Sequence, residues 1–231
     1  MSRKAVIFDL DGVLLDSMPC YYLAWKRAFE TQHIEVTKDE LYRREGEKRT
    51  KTVIGVFEDN KGYKPSVRVV EQIIGTMRDA FLGSFETKLF PYSRELLTAL
   101  KRERTKLGLV TGSDSVAQMF GREKDLLSLF DVIVTGHDTR EGKPSPQPYE
   151  AAMQRLELSP ARGCAVENSP LGIQSAKAAR LFCFAVRNSS PIPEEELKQS
   201  GADIVCSTNE ELMKQLVLTR VSPLRAHLKR R

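Results

Sequence analysis

Six short runs of apolar and β-branched residues, spaced by segments of helical periodicity, constrain the fold of this 231-residue chain more than any other feature. The runs occupy 5–10, 107–111, 131–135, 163–166, 182–186 and 203–206 and, polar residues near their ends aside, each is apolar at consecutive positions. A strand of that kind buries both of its faces. Between the later runs apolar residues recur at intervals of three and four, as in Leu96, Leu97 and Leu100 and in Tyr149, Ala152, Met153 and Leu156. That is the stripe of a helix packed on a sheet. Strands alternating with helices at this spacing are joined by right-handed crossovers into a parallel sheet covered on both sides. The expected fold class is α/β, with a doubly wound, Rossmann-like parallel sheet as its core.

The interval between the first and second runs carries no convincing strand. Apolar residues at Val70, Ile73, Ile74, Met77, Phe81, Leu82 and Phe85 mark one helix face, and a shorter helix runs from Tyr21 through Trp25 to Phe29. We therefore expect an all-helical cap domain over 16–87, inserted into a core formed by 1–15 and 88–231. Open α/β sheets bind ligands above the carboxyl ends of their strands, and an insertion there would act as a lid.

Composition narrows the partners. With 36 basic residues interspersed among 31 acidic ones, the net charge of +5 suits an anionic small molecule as well as a nucleic acid. The concentrated basic stretch at the end, with Arg225, His227, Lys229, Arg230 and Arg231, has no aromatic residue for base stacking and reads as a solvated tail. No nucleic-acid partner is expected. No run approaches the ~18 apolar residues of a membrane span, and Asp9 and Asp11 break the apolar N-terminus where a signal peptide would carry no charge. Cys20, Cys164, Cys183 and Cys206 form no CxxC pair and read as small hydrophobes in a reducing compartment. A cytoplasmic protein, folding alone as a monomer, is expected.

The chemistry lies at the strand ends. Asp9 closes the first run, followed by Asp11 and Gly12. Burying an unpaired carboxylate is strongly unfavourable, so either a cation compensates it or the segment is an Asp-Gly turn. A calcium loop is excluded, because Leu14 and Cys20 stand where that loop needs glycine and glutamate. Thr111, Gly112 and Ser113 follow the second run, offering a hydroxyl and a closely approachable backbone N–H to an anion. Lys143, within Gly142-Lys143-Pro144-Ser145-Pro146, follows the third; His137 and Pro144 rule out a Walker loop. Glu167, Asn168 and Ser169 follow the fourth, before Pro170-Leu171-Gly172 opens a helix.

The segments Phe8-Asp9-Leu10-Asp11-Gly12-Val13-Leu14-Leu15-Asp16-Ser17, Val110-Thr111-Gly112-Ser113, Gly142-Lys143-Pro144-Ser145-Pro146 and Val166-Glu167-Asn168-Ser169-Pro170-Leu171-Gly172-Ile173 resemble, in order and spacing, the four motifs of the haloacid dehalogenase superfamily. The resemblance covers nearly the whole chain. It is closest to the branch that contains β-phosphoglucomutase and small-molecule phosphatases. It implies a magnesium-dependent phosphatase of a small phosphorylated metabolite, of the sugar phosphate or phosphoglycolate type. By that resemblance Asp9 attacks phosphorus to form an aspartyl phosphate, and Asp11 is the general acid and base. Thr111, Gly112, Ser113 and Lys143 hold the phosphoryl oxygens, and magnesium is bound by Asp9, the Asp11 carbonyl and the acidic end of the fourth strand. Asp11 argues against dehalogenation or phosphonate cleavage, whose leaving groups need no proton.

Three positions depart from the pattern. Asn168 replaces the aspartate usual in this branch, so either its amide oxygen or Glu167 would ligate magnesium directly. A weakly active binding protein on the same fold is one consequence to weigh. Arg180 follows Ala178-Ala179 where a glycine is usual. Gly46-Glu47-Lys48-Arg49 resembles a specificity loop in which Arg49 meets the substrate's distal anion, although the dense charge of 43–51 also fits a solvated helix face. Tyr21 and Tyr22 stand near the position of a histidine in the sugar phosphomutase, which favours phosphatase over mutase.

Overall fold

The computed structural model describes residues 4–218. The basic stretch from 224 to 231 lies outside the described residues. Strands β1 (Ala5–Phe8), β2 (Lys106–Val110), β3 (Val132–Val134), β4 (Gly163–Glu167), β5 (Phe182–Val186) and β6 (Ile204–Cys206) form one sheet in the order β3-β2-β1-β4-β5-β6. Every pairing is parallel. All six apolar runs are strands, though β1 ends at Phe8, so Asp9 and Leu10 already belong to the connection.

The consecutive apolar positions reflect burial on two faces. In β1, Val6 and Phe8 join one buried cluster and Ile7 the other, as the alternation of side chains along a strand requires. Between β1 and β2 the chain forms α1 (Met18–Glu30), α2 (Lys38–Arg43), α3 (Arg49–Lys61), α4 (Val67–Ser84) and α5 (Ser93–Arg102). After β2 come α6 (Val116–Phe120) and a stretch of 3₁₀ turns, Gly121–Leu129. Helices α7 (Gln147–Arg155), α8 (Pro170–Ala178), α9 (Glu194–Gln199) and α10 (Asn209–Leu218) complete the chain. Leu96, Leu97 and Leu100 of α5 and Leu212 and Leu216 of α10 cover the Val6 and Phe8 face. Tyr149 and Met153 of α7, Ile173 of α8 and Leu197 of α9 cover the Ile7 face.

Helices α1–α4 pack through the anticipated stripe. Val70, Ile73, Met77 and Phe81 of α4 are buried and face α1, and the Phe81 ring stacks on Tyr21 with centroids 3.9 Å apart. Leu82, which the periodicity assigns to that face, is instead 40% exposed, and Phe85 caps the helix end. Seven apolar positions over sixteen residues are more than one stripe can bury, and Leu82 falls on its outer edge. Ser66 Oγ accepts from the Val69 N–H at the start of α4, and Gly62 ends α3 in the left-handed conformation. Trp25, Phe29, Val53 and Phe57 of these helices share one buried cluster with Val6 and Phe8. The four cysteines form no disulfide, and the three in strands are buried.

Candidate active site

Strands are added to one side of β1 as far as β3 and to the other from β4 onward, and the connections leaving the carboxyl ends of β1–β4 meet at this switch. Asp9 donates its backbone N–H to Val166 O at 2.9 Å, the last rung before the chain leaves the sheet. Gly12 has φ +79, and a Cβ on it would stand 2.0 Å from Asn168 Nδ2, so both backbone and neighbour require glycine. Asn188 Nδ2 donates to the Gly12 and Val13 carbonyls at 3.1 and 3.2 Å, Asn209 Nδ2 to Val13 O at 2.9 Å, and Ser93 Oγ to Leu14 O at 3.1 Å. The turn that presents Asp9 and Asp11 is thereby held from three other elements.

Lys143 is the single lysine or arginine buried among the described residues. Its Nζ donates to Asp9 Oδ1 at 2.5 Å and pairs with Glu167 Oε1 at 2.6 Å, while lying 5.8 Å from the centre of the Tyr149 ring. Glu167 Oε1 also accepts from the Tyr149 hydroxyl at 2.5 Å, and its Oε2 accepts from the Asn168 N–H at 3.1 Å. Both oxygens are thus engaged. A Cβ at Gly172 would come within 2.1 Å of that carboxylate, which explains a glycine in the first turn of α8. Ser17 Oγ donates to Asp11 Oδ1 at 2.5 Å, and Thr111 Oγ1 lies 3.5 Å from Asp11 Oδ2 while accepting from the Ser113 N–H at 3.0 Å.

Four carboxyl groups face this one ammonium: Asp9, Asp11, Glu167 and Glu45, the last in the turn between α2 and α3. Burial raises the Asp9 pKa well above the usual carboxylate range, Lys143 opposes the shift, and Glu45, Glu167 and Asp11 add to it. Burial also raises Asp11, against the Ser17 hydrogen bond and Lys143, and pushes Glu45 up to about 7. For Lys143 burial acts downward, but Asp9, Glu167 and Glu45 outweigh it and hold the ammonium charged.

The cluster can hold a metal ion. Asp9, Glu45 and Glu167 each offer a carboxylate oxygen, all within 4.8 Å of one another. Asp9 Oδ2, Asn168 Oδ1 and Glu45 Oε2 are buried with no hydrogen-bond partner among the described residues. Oxygen-only donors of this kind suit a hard divalent cation.

The structure therefore brings together Asp9, Asp11, Thr111, Lys143, Glu167 and Asn168, all at most 5% exposed. Arg49, Gly112 and Ser113 line, with Asp11, an adjoining open cleft, in which Arg49 lies 3.8 Å from Asp114. Sequence reasoning missed Glu45, Tyr149 and Ser17. Ser17 lay inside the first motif, Tyr149 reads as one more apolar position of its helix, and Glu45 sits unmarked in a run of charges.

The model of the family described as Haloacid dehalogenase-like hydrolase matches residues 6–186, and the chain belongs to that family. It is 28% identical to the beta-phosphoglucomutase of Bacillus subtilis over 219 residues, covering 93% of each protein. It is 31% identical to the phosphorylated carbohydrates phosphatase of Thermotoga maritima over 179 residues, covering 76% of this chain and 81% of the relative. Among solved structures, a Bacteroides vulgatus protein bearing a provisional beta-phosphoglucomutase name superposes with a TM-score of 0.88 at 28% identity, covering 95% of this chain and 90% of that one.

Proposed function

We propose that this haloacid dehalogenase-like hydrolase is a magnesium-dependent phosphatase of a small phosphorylated metabolite, of the sugar phosphate or phosphoglycolate type. The observation that carries the reading is the buried pair of Lys143 and Asp9, with the second Asp9 oxygen left unpartnered. Lys143 fixes the Asp9 carboxylate for in-line attack on phosphorus, which forms an aspartyl phosphate and releases the ester oxygen. Asp11, oriented by Ser17, gives that oxygen its proton; the upward shift of its pKa is the direction such an acid needs. Water then attacks the aspartyl phosphate while Asp11 takes a proton from that water, and phosphate leaves with the Asp9 carboxylate regenerated. Thr111, Gly112 and Ser113 hold phosphoryl oxygens.

Asp9, the Asp11 carbonyl and the Asn168 amide oxygen would hold the magnesium ion, and Glu167, with both oxygens engaged, supports Lys143 instead. The ion when bound supplies positive charge for phosphoryl oxygens and offsets the carboxylates. In this reading 16–87 is a cap domain over a core of 1–15 and 88–231, and Arg49 meets the distal end of the substrate. Among the described residues no helix is long and apolar enough to cross a membrane.

A phosphomutase is the second reading, favoured by the Bacillus subtilis relative. Against it, Tyr21 and Tyr22 line the cleft, and no histidine does among the described residues. A panel of phosphate esters with magnesium separates the two. Release of inorganic phosphate, abolished by Asp9→Asn, is expected; transfer to a second sugar hydroxyl without net release would establish the mutase. Full turnover in Asp9→Asn would remove Asp9 as nucleophile.

A further inference from the structure

The acidic group has one member that the strand ends do not supply. Glu45 comes from the turn between α2 and α3, yet offers an oxygen within 4.8 Å of those of Asp9 and Glu167. The three differ in how their oxygens are satisfied. Those of Glu167 are taken by Lys143, Tyr149 and the Asn168 N–H. Asp9 Oδ2 and Glu45 Oε2 are buried and have no hydrogen-bond partner among the described residues, and neither has Asn168 Oδ1. The nitrogen end of the Asn168 amide is the end beside Gly12, which leaves its oxygen end on the farther side.

The turn that carries Glu45 is docked in place. Lys48 Nζ donates to Thr139 O at 2.7 Å and to Gly136 O at 3.2 Å, and Ser169 Oγ donates to Glu45 O at 3.4 Å. Gly46, at φ +88, lies against the Lys143 stem, where a Cβ would come within 2.6 Å of Cδ. Glu45 is thus set beside two other carboxylates, both of which repel it at this separation. The nearby ammonium, Lys143, is already shared between Asp9 and Glu167, one positive charge against two carboxylates. Three unpartnered buried oxygens from three separate elements lack a donor, and a cation would satisfy all three at once.

We propose that Glu45 is itself a ligand of the divalent cation at this site, so that the helical insert supplies the anionic oxygen that Asn168, a neutral amide, does not. Cation binding and docking of the α2–α3 turn are then linked: the ion ties the insert to the strand ends, and a docked insert completes the ion's oxygen shell. The inference rests on the magnesium reading above.

The test is direct binding of Mn2+ to the metal-free full-length protein, followed by electron paramagnetic resonance, alongside the melting temperature with and without the ion. Glu45→Gln should weaken Mn2+ binding by about tenfold or more. It should also shrink the rise in melting temperature that the ion produces, while leaving the metal-free protein equally or more stable because one repelling charge is gone. Adding Asn168→Asp to Glu45→Gln should restore affinity, which general damage to the fold would not permit. Equal Mn2+ affinity in wild type and Glu45→Gln, or no recovery in the double variant, overturns the inference and leaves the magnesium reading intact. No Mn2+ binding by the wild type overturns both.

Discussion

Replacing Lys143 by methionine keeps most of the unbranched stem and removes the charge between Asp9 and Glu167. At 2.5 and 2.6 Å, and with an effective dielectric near 20, each ion pair represents about 6 kcal/mol of gross attraction. Much of this is offset by the desolvation of three buried ions, so the net loss on removing one partner is about 3–5 kcal/mol. The loss should depend on pH. Burial already raises the Asp9 pKa, and Lys143 is what opposes that rise, so the variant's carboxyl titrates higher still. A group whose folded pKa is raised contributes stability that is present below its unfolded value of about 4 and is lost as pH climbs through the folded value. The variant should therefore fall further below wild type at pH 8.5 than at pH 5.5, with urea unfolding in chelator as the assay. Turnover should drop by about 10²- to 10³-fold, the scale for losing one preorganised donor. A stability loss under about 1 kcal/mol at pH 8.5, or an equal loss at both pH values, would refute the assignment of Lys143 as the counter-charge of this cluster.

Two further substitutions probe the surroundings. Gly172→Ala places a Cβ 2.1 Å from the Glu167 carboxylate, which must move off Lys143; a loss of about 1–3 kcal/mol in urea and a fall in kcat are expected. Arg180→Gly should stabilise the protein by up to about 1 kcal/mol, because exposed Arg180 holds φ +61 at the end of α8, where a left-handed residue with a Cβ costs about 1–2 kcal/mol and glycine returns part of that as chain entropy. A calorimetric Tm raised by about 1–4 °C, with kcat unchanged, is the expected result.

The fold was legible because its signal is local. A strand buried on both sides must be apolar at consecutive positions, and the six runs are the six strands. The strand-end residues were legible for the opposite reason, since Asp9, Lys143 and Glu167 are charges in apolar or glycine-rich surroundings and stand out there. Glu45 was not, because it lies among Arg43, Arg44, Glu47, Lys48 and Arg49, where one more charge reads as solvated surface. What distinguishes it is its partner set, with Gly46 against the Lys143 stem and Ser169 on its carbonyl, and both contacts cross more than 90 residues of sequence. Tyr149 is hidden differently: its ring belongs to the helix stripe, and only its hydroxyl, 2.5 Å from Glu167, belongs to the site. Arg49 had two readings from its charge run; it lines the cleft, against Asp114.

The sheet register explains why the cluster needs a lysine in particular. Phe8 pairs with Val166, so the residues that follow them, Asp9 and Glu167, stand at the carboxyl ends of adjacent strands about 5 Å apart, and both carboxylates are forced to share one space. The counter-charge comes from the connection after β3, and β3 lies two strands from β1, about 10 Å away across β2. Lysine carries its charge on a long aliphatic stem that must be shielded, and Gly46 of the insert supplies the wall along which the stem runs. Arginine would reach as far, but its planar fork would have to fit where a compact ammonium now meets Asp9 Oδ1 and Glu167 Oε1 at 2.5 and 2.6 Å beneath the Tyr149 ring. The register thus makes the two carboxylates unavoidable neighbours that share one ammonium, and the helical insert is part of the wall along that residue's stem.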